Sequence, residues 1–248
     1  MPPSDYYTEV ALGNVAGRSL VHKFGRNPDI DLASTFEMIW HGSVDYSGFD
    51  VAGAQTVDIV SDSTNDDVGG TGATSITIYG LDSSYDEVTE DISMDGTTPV
   101  TSVNSYLRLN RAVVVAAGDL GENDGEITIS QTTSGTVFCY IPAEFNQAQF
   151  GGYTIPNNKT GYLLDLYGGI SGSLKANLIL RLRVRPNGET FQIKYESTII
   201  GEGSSHLHHE FPAPQGPFTE KTDIKIEASS DTNNIVVSGG FTLLLVDD

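Results

Sequence analysis

A single cysteine, Cys139, occurs in 248 residues. That excludes an intrachain disulfide framework and any zinc site built on paired thiolates. Within the apolar run TVFCYIP, Cys139 reads as a small buried hydrophobe. Basic residues are scarce too: 13 Lys and Arg against 33 Asp and Glu leave a formal charge of −20. A field of that sign repels a polyanion, which excludes nucleic acid as the main partner. No window approaches the roughly 18 consecutive apolar residues of a membrane-spanning helix. The opening MPPSDYYTEV carries neither a basic segment nor an apolar one, so a secretory leader is not expected and synthesis in a cytoplasm is. Helical periodicity is also missing, since no apolar repeat of 3.6 persists beyond about two turns and no heptad run occurs.

The chain instead holds 27 glycines, abundant Ser and Thr, and many short β-branched runs. This composition predicts an all-β protein. Charged residues make up only 19% of the total, so the surface must be built largely from Ser, Thr, Asn and Gly. Such surfaces are common in secreted, carbohydrate-facing and virion proteins. Residues 1–35 show no sustained period and read as an extended N-terminal arm carrying Arg18, Lys23 and Arg26, with a short helical turn expected after Asp31. Residues 36–135 alternate short strands with turns (QTVDIVS, SITIYGL, DEVTEDISM, YLRLNRAVVVAAG, EITIS), as an acidic β-sandwich would. Between Asn27 and Leu107 there is no Lys or Arg, against fifteen acidic residues. Residues 136–248 (TVFCYI, TGYLLDLYGGI, TDIKIEAS, NIVVSGGFTLLLVDD) read as a jelly-roll-like sandwich. Its last strand is apolar on both faces and therefore central or covered on both sides. The expected architecture is two antiparallel β-sandwich or jelly-roll-like regions behind an arm.

Residues 178–184 alternate strictly, sending Leu178, Leu180, Leu182 and Val184 to one face and Arg181, Arg183 and Arg185 to the other. Asn187-Gly188 predicts a two-residue type I′ hairpin, which pairs Leu182 with Ile193 and Arg181 with Lys194. The outer face then bears Arg181, Arg183, Arg185 and Lys194 as a cationic stripe. Three roles fit it: a solvated face, an interface with acidic surface on this chain or a neighbouring copy, or a site for phosphate or acidic sugar.

Other constellations are sparser. In SSHLHHE, His206 and His208 share a face with Glu210, a set suited to zinc or a similar ion, although the prolines that follow in EFPAPQGP predict a surface loop. Two acidic loops, with Asp62, Asn65, Asp66 and Asp67 in one and Asp119, Glu122, Asn123 and Asp124 in the other, offer oxygen ligands for calcium without the EF-hand spacing. The formula NKT at Asn158 fits a glycosylation acceptor, which has no meaning without export. No nucleophile elbow, HExxH motif, phosphate-cradling loop or Cys/His pair occurs, so no enzyme and no required cofactor are expected. A carboxylate pair for glycoside hydrolysis is defined by separation in space and leaves no sequence signature.

The segments FGRNPDID, ITIYGLDSSYDEVTEDISMDGTTPVTSVNSYLRLNRAVVV and YTIPNNKTGYLLDLYGG resemble uncharacterised virion structural proteins of tailed bacteriophages of aquatic bacteria. The resemblance runs from about residue 24 to the C-terminus and rests on strand-and-turn formulas that specify no chemistry. It implies a β-rich component of the phage particle, assembled in the host cytoplasm. The component would decorate or cement the head shell against the major capsid protein and copies of itself, as a trimer for example, or belong to the neck and tail. The sequence expectation is therefore a non-enzymatic capsid decoration protein. Its interface would be formed by Arg18, Lys23, Arg26, Arg181, Arg183, Arg185 and Lys194 against complementary acidic surface. The alternative is a tail-associated module that binds a receptor or host surface glycans.

Overall fold

A computed structural model describes residues 5–32, 35–42, 46–171, 175–202 and 205–248. In chain order the elements are α1 (Tyr6–Ala11), β1 (Arg18–Ile30), β2 (Glu37–Met38), β3 (Val57–Ser61), β4 (Ala73–Leu81), β5 (Glu87–Ser93), β6 (Val100–Thr101), β7 (Arg108–Ala117), β8 (Ile127–Gln131), β9 (Val137–Ile141), β10 (Gly152–Thr154), β11 (Lys159–Ser171), β12 (Lys175–Arg185), β13 (Gln192–Glu202), β14 (Ser205–Phe218), β15 (Asp223–Ser230) and β16 (Ile235–Asp247). The protein is all-β, with antiparallel sheets and one short helix among the described residues.

The chain divides into two compact units. Unit 1 comprises Met1–Phe24, Asp29–Phe36 and Gly151–Asp248; unit 2 comprises Gly25–Pro28 and Glu37–Phe150. The boundary therefore falls at Phe150/Gly151 instead of after residue 135. The reason is that β9 pairs with β8, matching Ile127 with Ile141 and Ile129 with Cys139, so it completes a sheet of unit 2.

Unit 1 has two sheets, one in the order β1-β16-β11-β14 and one following the path β10-β15-β12-β13. The apolar alternation of β12 sends Leu178, Leu180, Leu182 and Val184 into the core, where they meet Ile224, Ile226 and Ala228 of β15. From the other sheet come Leu166, Ile170, Val237, Phe241, Leu243 and Leu245, all buried. The two layers approach closely where Gly168 has no side chain: a Cβ there would lie 2.8 Å from Leu180 Cδ2. β16 is central, between β1 and β11, as its apolar residues on both faces require.

Unit 2 also has two sheets, β6-β3-β8-β9 and β5-β4-β7. One contributes Ile59, Ile127, Ile129 and Phe138 and the other Ile76, Ile78, Ile92 and Leu109 to a single apolar cluster that also contains Cys139. The segments read from sequence as strands between Gln55 and Ile141 are β3, β4, β5, β7, β8 and β9.

Three expectations need correction. The N-terminal segment is not an arm without regular structure, since β1 is a thirteen-residue strand beside β16. Glycine makes room for it: a Cβ on Gly240 would collide with the Lys23 carbonyl and the Tyr167 ring, whose hydroxyl lies 2.8 Å from His22 Nε2. The helical turn expected after Asp31 falls on residues 33–34, outside the described ones. The β12–β13 connection is not a two-residue turn, because Pro186 cannot donate to the ladder and only Gly188 takes positive φ (+77°), so the strands resume at Gln192. Arg181 consequently faces Glu196, with a bulge between Leu182 and Arg183. The expected register would have set Arg181 against Lys194, two like charges directly opposite. Finally, His206 to Pro217 is not a loop but part of β14, an edge strand. Its pairing with β11 slips between Leu163↔Gln215 and Asp165↔Glu210, and the unpaired residues between include Pro212 and Pro214. An edge bulge is where a strand tolerates proline.

Candidate functional site

The Arg stripe lies on the outer face of β12, and the acids that meet it come from β13 and β15 of the same sheet. Arg181 Nε donates to Glu196 Oε2 at 2.5 Å. Arg183 Nη1 reaches Glu227 Oε1 at 3.3 Å, and Lys225 Nζ takes the other oxygen of that carboxylate at 3.0 Å. Arg185 donates through Nε and Nη2 to Asp223 Oδ2, at 3.1 and 2.7 Å, while Thr154 Oγ1 donates to Oδ1 at 2.6 Å. The side chain of Glu227 is 1% exposed and that of Asp223 5%.

Aromatic rings cover the cations. Phe36 lies 3.4 Å from the Arg181 guanidinium, measured to the ring centroid, and the Phe191 ring sits beside Arg185 (4.6 Å), Lys225 (4.8 Å) and Arg183 (5.6 Å). The stripe is thus a network of four cations and three carboxylates within one sheet. Its charge is met inside the chain and is not free to attract a distant acidic surface. The signal for this was present in TDIKIEAS, where Asp223, Lys225 and Glu227 alternate with isoleucine and alanine and so line one face of a strand.

The fourth residue assigned to the stripe, Lys194, lies apart from the network. It is exposed on β13, and its ammonium donates to Gln192 Oε1 at 3.1 Å. Of the N-terminal cations, Lys23 is buried at 8% exposure within β1 and cannot present its charge to a partner. Arg18 is half-buried and donates to its neighbour, the Gly17 carbonyl, at 2.8 Å. Arg26 is also half-buried; burial lowers the pKa of His41, Glu126 opposes this from 3.2 Å, and the Arg26 charge adds a smaller lowering.

His206, His208 and Glu210 do share one face of β14, and all three are exposed. Among the described residues, however, no three His, Cys, Asp or Glu side chains are grouped so as to hold a metal ion. The two acidic loops are brought together in unit 2, where carboxylates serve as turn caps. Asp66, fully buried, accepts from Ser61 Oγ, Ala73 N, Asp124 N and Gly125 N at 2.5–2.9 Å. Asp124 in turn accepts from Ser63 Oγ and Asn65 Nδ2, which hold its carboxyl below the ordinary range, and Asp62 accepts from Glu126 N. With four donors on its two oxygens, Asp66 has no lone pair to spare for calcium. Asp67, Asp119 and Glu122 do not join these contacts.

A cavity of about 400 Å³ opens between the two sheets of unit 1. Leu163 and Val184, each 1% exposed, lie in its floor with Phe218 and Thr222; Phe211 forms a wall; Lys194, Gln215 and Pro217 stand at its mouth. The β14 bulge opens it, since the strand leaves β11 there. Sequence reasoning missed this cavity because its lining comes from four strands and two loops.

No helix among the described residues is long and apolar enough to cross a membrane. No protein-family model matches the chain, and no curated protein matches it. Among solved structures, the infectious bursal disease virus VP2 subviral particle aligns at 11% identity over 94% of this chain and 73% of that one, with a TM-score of 0.27. The structure of the Gt strain of the same virus aligns at 10% identity over 100% and 77%, with a TM-score of 0.23. At TM-scores this low, neither likeness carries an argument about fold or function.

Proposed function

We propose that the chain is a non-enzymatic virion structural protein, a decoration or cement subunit that binds a capsid shell and neighbouring copies of itself. The observation that carries this reading is the strand order of unit 1. Counting its eight strands from β1 and then β10 to β16, one sheet runs first-eighth-third-sixth and the other second-seventh-fourth-fifth. That is the order of a two-sheet jelly roll, the architecture of viral capsid and lectin domains. Unit 2, a smaller sandwich, is inserted in the chain between the first and second of these strands. The engaged states of Asp66, Asp223 and Glu227 support a role without catalysis, because these buried carboxylates are committed to holding turns and strands. The resemblance of the sequence to phage virion proteins points the same way.

Because lectin domains share the jelly roll, a tail-associated glycan-binding module is the second reading, favoured by the open cavity with Phe211 in its wall. Quantitative mass spectrometry of purified particles separates the two. A copy number comparable with that of the main shell subunit supports decoration. A copy number matching a tail ring or fibre, together with retention on host surface glycans, replaces it with the second reading.

A further inference from the structure

We propose that the cavity between the sheets of unit 1 is a binding site for a small arylalkyl carboxylate carrying a hydroxyl at its far end. Three features of the cavity point to this chemistry, independently of any role in a virion.

Its volume of about 400 Å³ falls in the range of small-molecule sites, and its floor and wall are apolar, from Leu163, Val184, Phe211 and Phe218. A flat apolar body is therefore accommodated. At the mouth stands Lys194. The described cations of this sheet's outer face, Arg181, Arg183, Arg185 and Lys225, each have a carboxylate partner. Around Lys194 no carboxylate of the described residues lies within ion-pairing distance, in a chain with 33 acidic residues. Its cation is left available to an incoming anion, and a carboxylate against an ammonium forms a charge-assisted hydrogen bond. In the floor, Thr222 is 1% exposed and its Oγ1 has no hydrogen-bond partner. A buried hydroxyl without a partner is unfavourable, and a ligand hydroxyl reaching the floor would satisfy it.

The ligand therefore places its carboxylate on Lys194, its ring among the floor and wall residues, and its hydroxyl on Thr222. No covalent step is involved. Gln215, also lining the cavity, donates one amide N–H to the Ala213 carbonyl at 2.7 Å and has its second for the carboxylate.

The test uses the full chain and three probes: 3-(4-hydroxyphenyl)propanoate, 3-phenylpropanoate and the neutral 3-phenylpropanamide, titrated while amide NMR shifts are followed. Saturable shifts at Leu163, Val184 and Phe218 are expected with both acids. The hydroxylated acid should bind severalfold tighter, and the amide about tenfold weaker than its acid, as loss of one charge-assisted contact implies. Lys194→Glu, at an exposed position that leaves the fold intact, should weaken both acids by about tenfold or more. Thr222→Val should leave 3-phenylpropanoate unaffected and erase the preference for the hydroxylated acid. Absence of saturable shifts at the floor, or equal binding of an acid to Lys194→Glu and the wild type, overturns the proposal. Equal affinity of the two acids for the wild type overturns the assignment of Thr222.

Discussion

Glu227 joins two cations through one carboxylate, Arg183 on one oxygen and Lys225 on the other, with only 1% of its side chain exposed. The register places Arg183 directly opposite Lys225, so without Glu227 two like charges would adjoin each other on neighbouring strands. Removing one partner of a buried ionic network leaves uncompensated charge. Glu227→Ala should therefore destabilise unit 1 by about 3 kcal/mol, read from the midpoint shift of urea unfolding at neutral pH. Glu90 of unit 2 makes a different kind of tie. Burial opposes its ionisation, but the backbone N–H groups of Val103 and Asn104, the Tyr106 hydroxyl and the Asn104 amide all donate to it and hold its carboxyl below the ordinary range. A lowered folded-state pKa contributes stability above the unfolded value and loses it as pH falls through the folded one. Unit 2 should thus weaken on acidification below about pH 4.5. Glu90→Gln should flatten part of that slope, as measured by thermal unfolding across pH 3–6.

At the scale of elements, the β12–β13 pair shows how charge selects register. Leu182 keeps its inward direction in both the expected and the observed pairing, since the two differ by an even number of residues at that point and preserve the face. Apolar periodicity therefore distinguished inside from outside on β12 and could not distinguish Lys194 from Glu196 as the neighbour of Arg181. Pro186 and the attraction of unlike charges decide it. The pair is partly exposed, so its contribution is modest. Glu196→Lys should destabilise by about 0.5–1 kcal/mol, and adding Arg181→Glu should recover part of the loss; additive losses in this double-mutant cycle would refute the pairing. Strands with an apolar alternation or a bounded apolar run, such as β3, β4, β8 and β16, were legible in the sequence for this reason. β14 was not, because its prolines and histidines carry a loop's composition while its place at a sheet edge lets it remain a strand. β1 was hidden by the opposite problem: its partner, β16, lies at the far end of the chain, and nothing local in RSLVHKFGRNPDI announces it. The site suffered similarly, since the acids that neutralise the Arg stripe and the four strands that line the cavity meet only after folding.

At the scale of the whole molecule, unit 1 is discontinuous in sequence and unit 2 nearly continuous, apart from Gly25–Pro28. Unit 2 owns a complete apolar cluster and both of its sheets, whereas unit 1 requires residues from both ends of the chain. A fragment spanning residues 25–150 should unfold cooperatively in urea on its own, with a sigmoidal transition and a midpoint close to one seen in the full chain. A fragment spanning residues 151–248 lacks β1 and should show a lower midpoint or none. Failure of the first fragment to fold would mean that the insertion depends on its host.

The placement of β1 beside β16 also sets an order of events on the ribosome. The first long strand leaves the exit tunnel early, yet its hydrogen-bonding neighbour begins at Ile235, while the strand itself ends at Ile30. At ordinary elongation rates the interval between them is on the order of 10–40 s. Throughout that time the inserted sandwich can collapse and finish, while the segment ahead of it waits with an unpaired backbone. Closure of the β1–β16 pair is therefore a late step, and a nascent chain arrested before Ile235 would carry a finished insert on an open host.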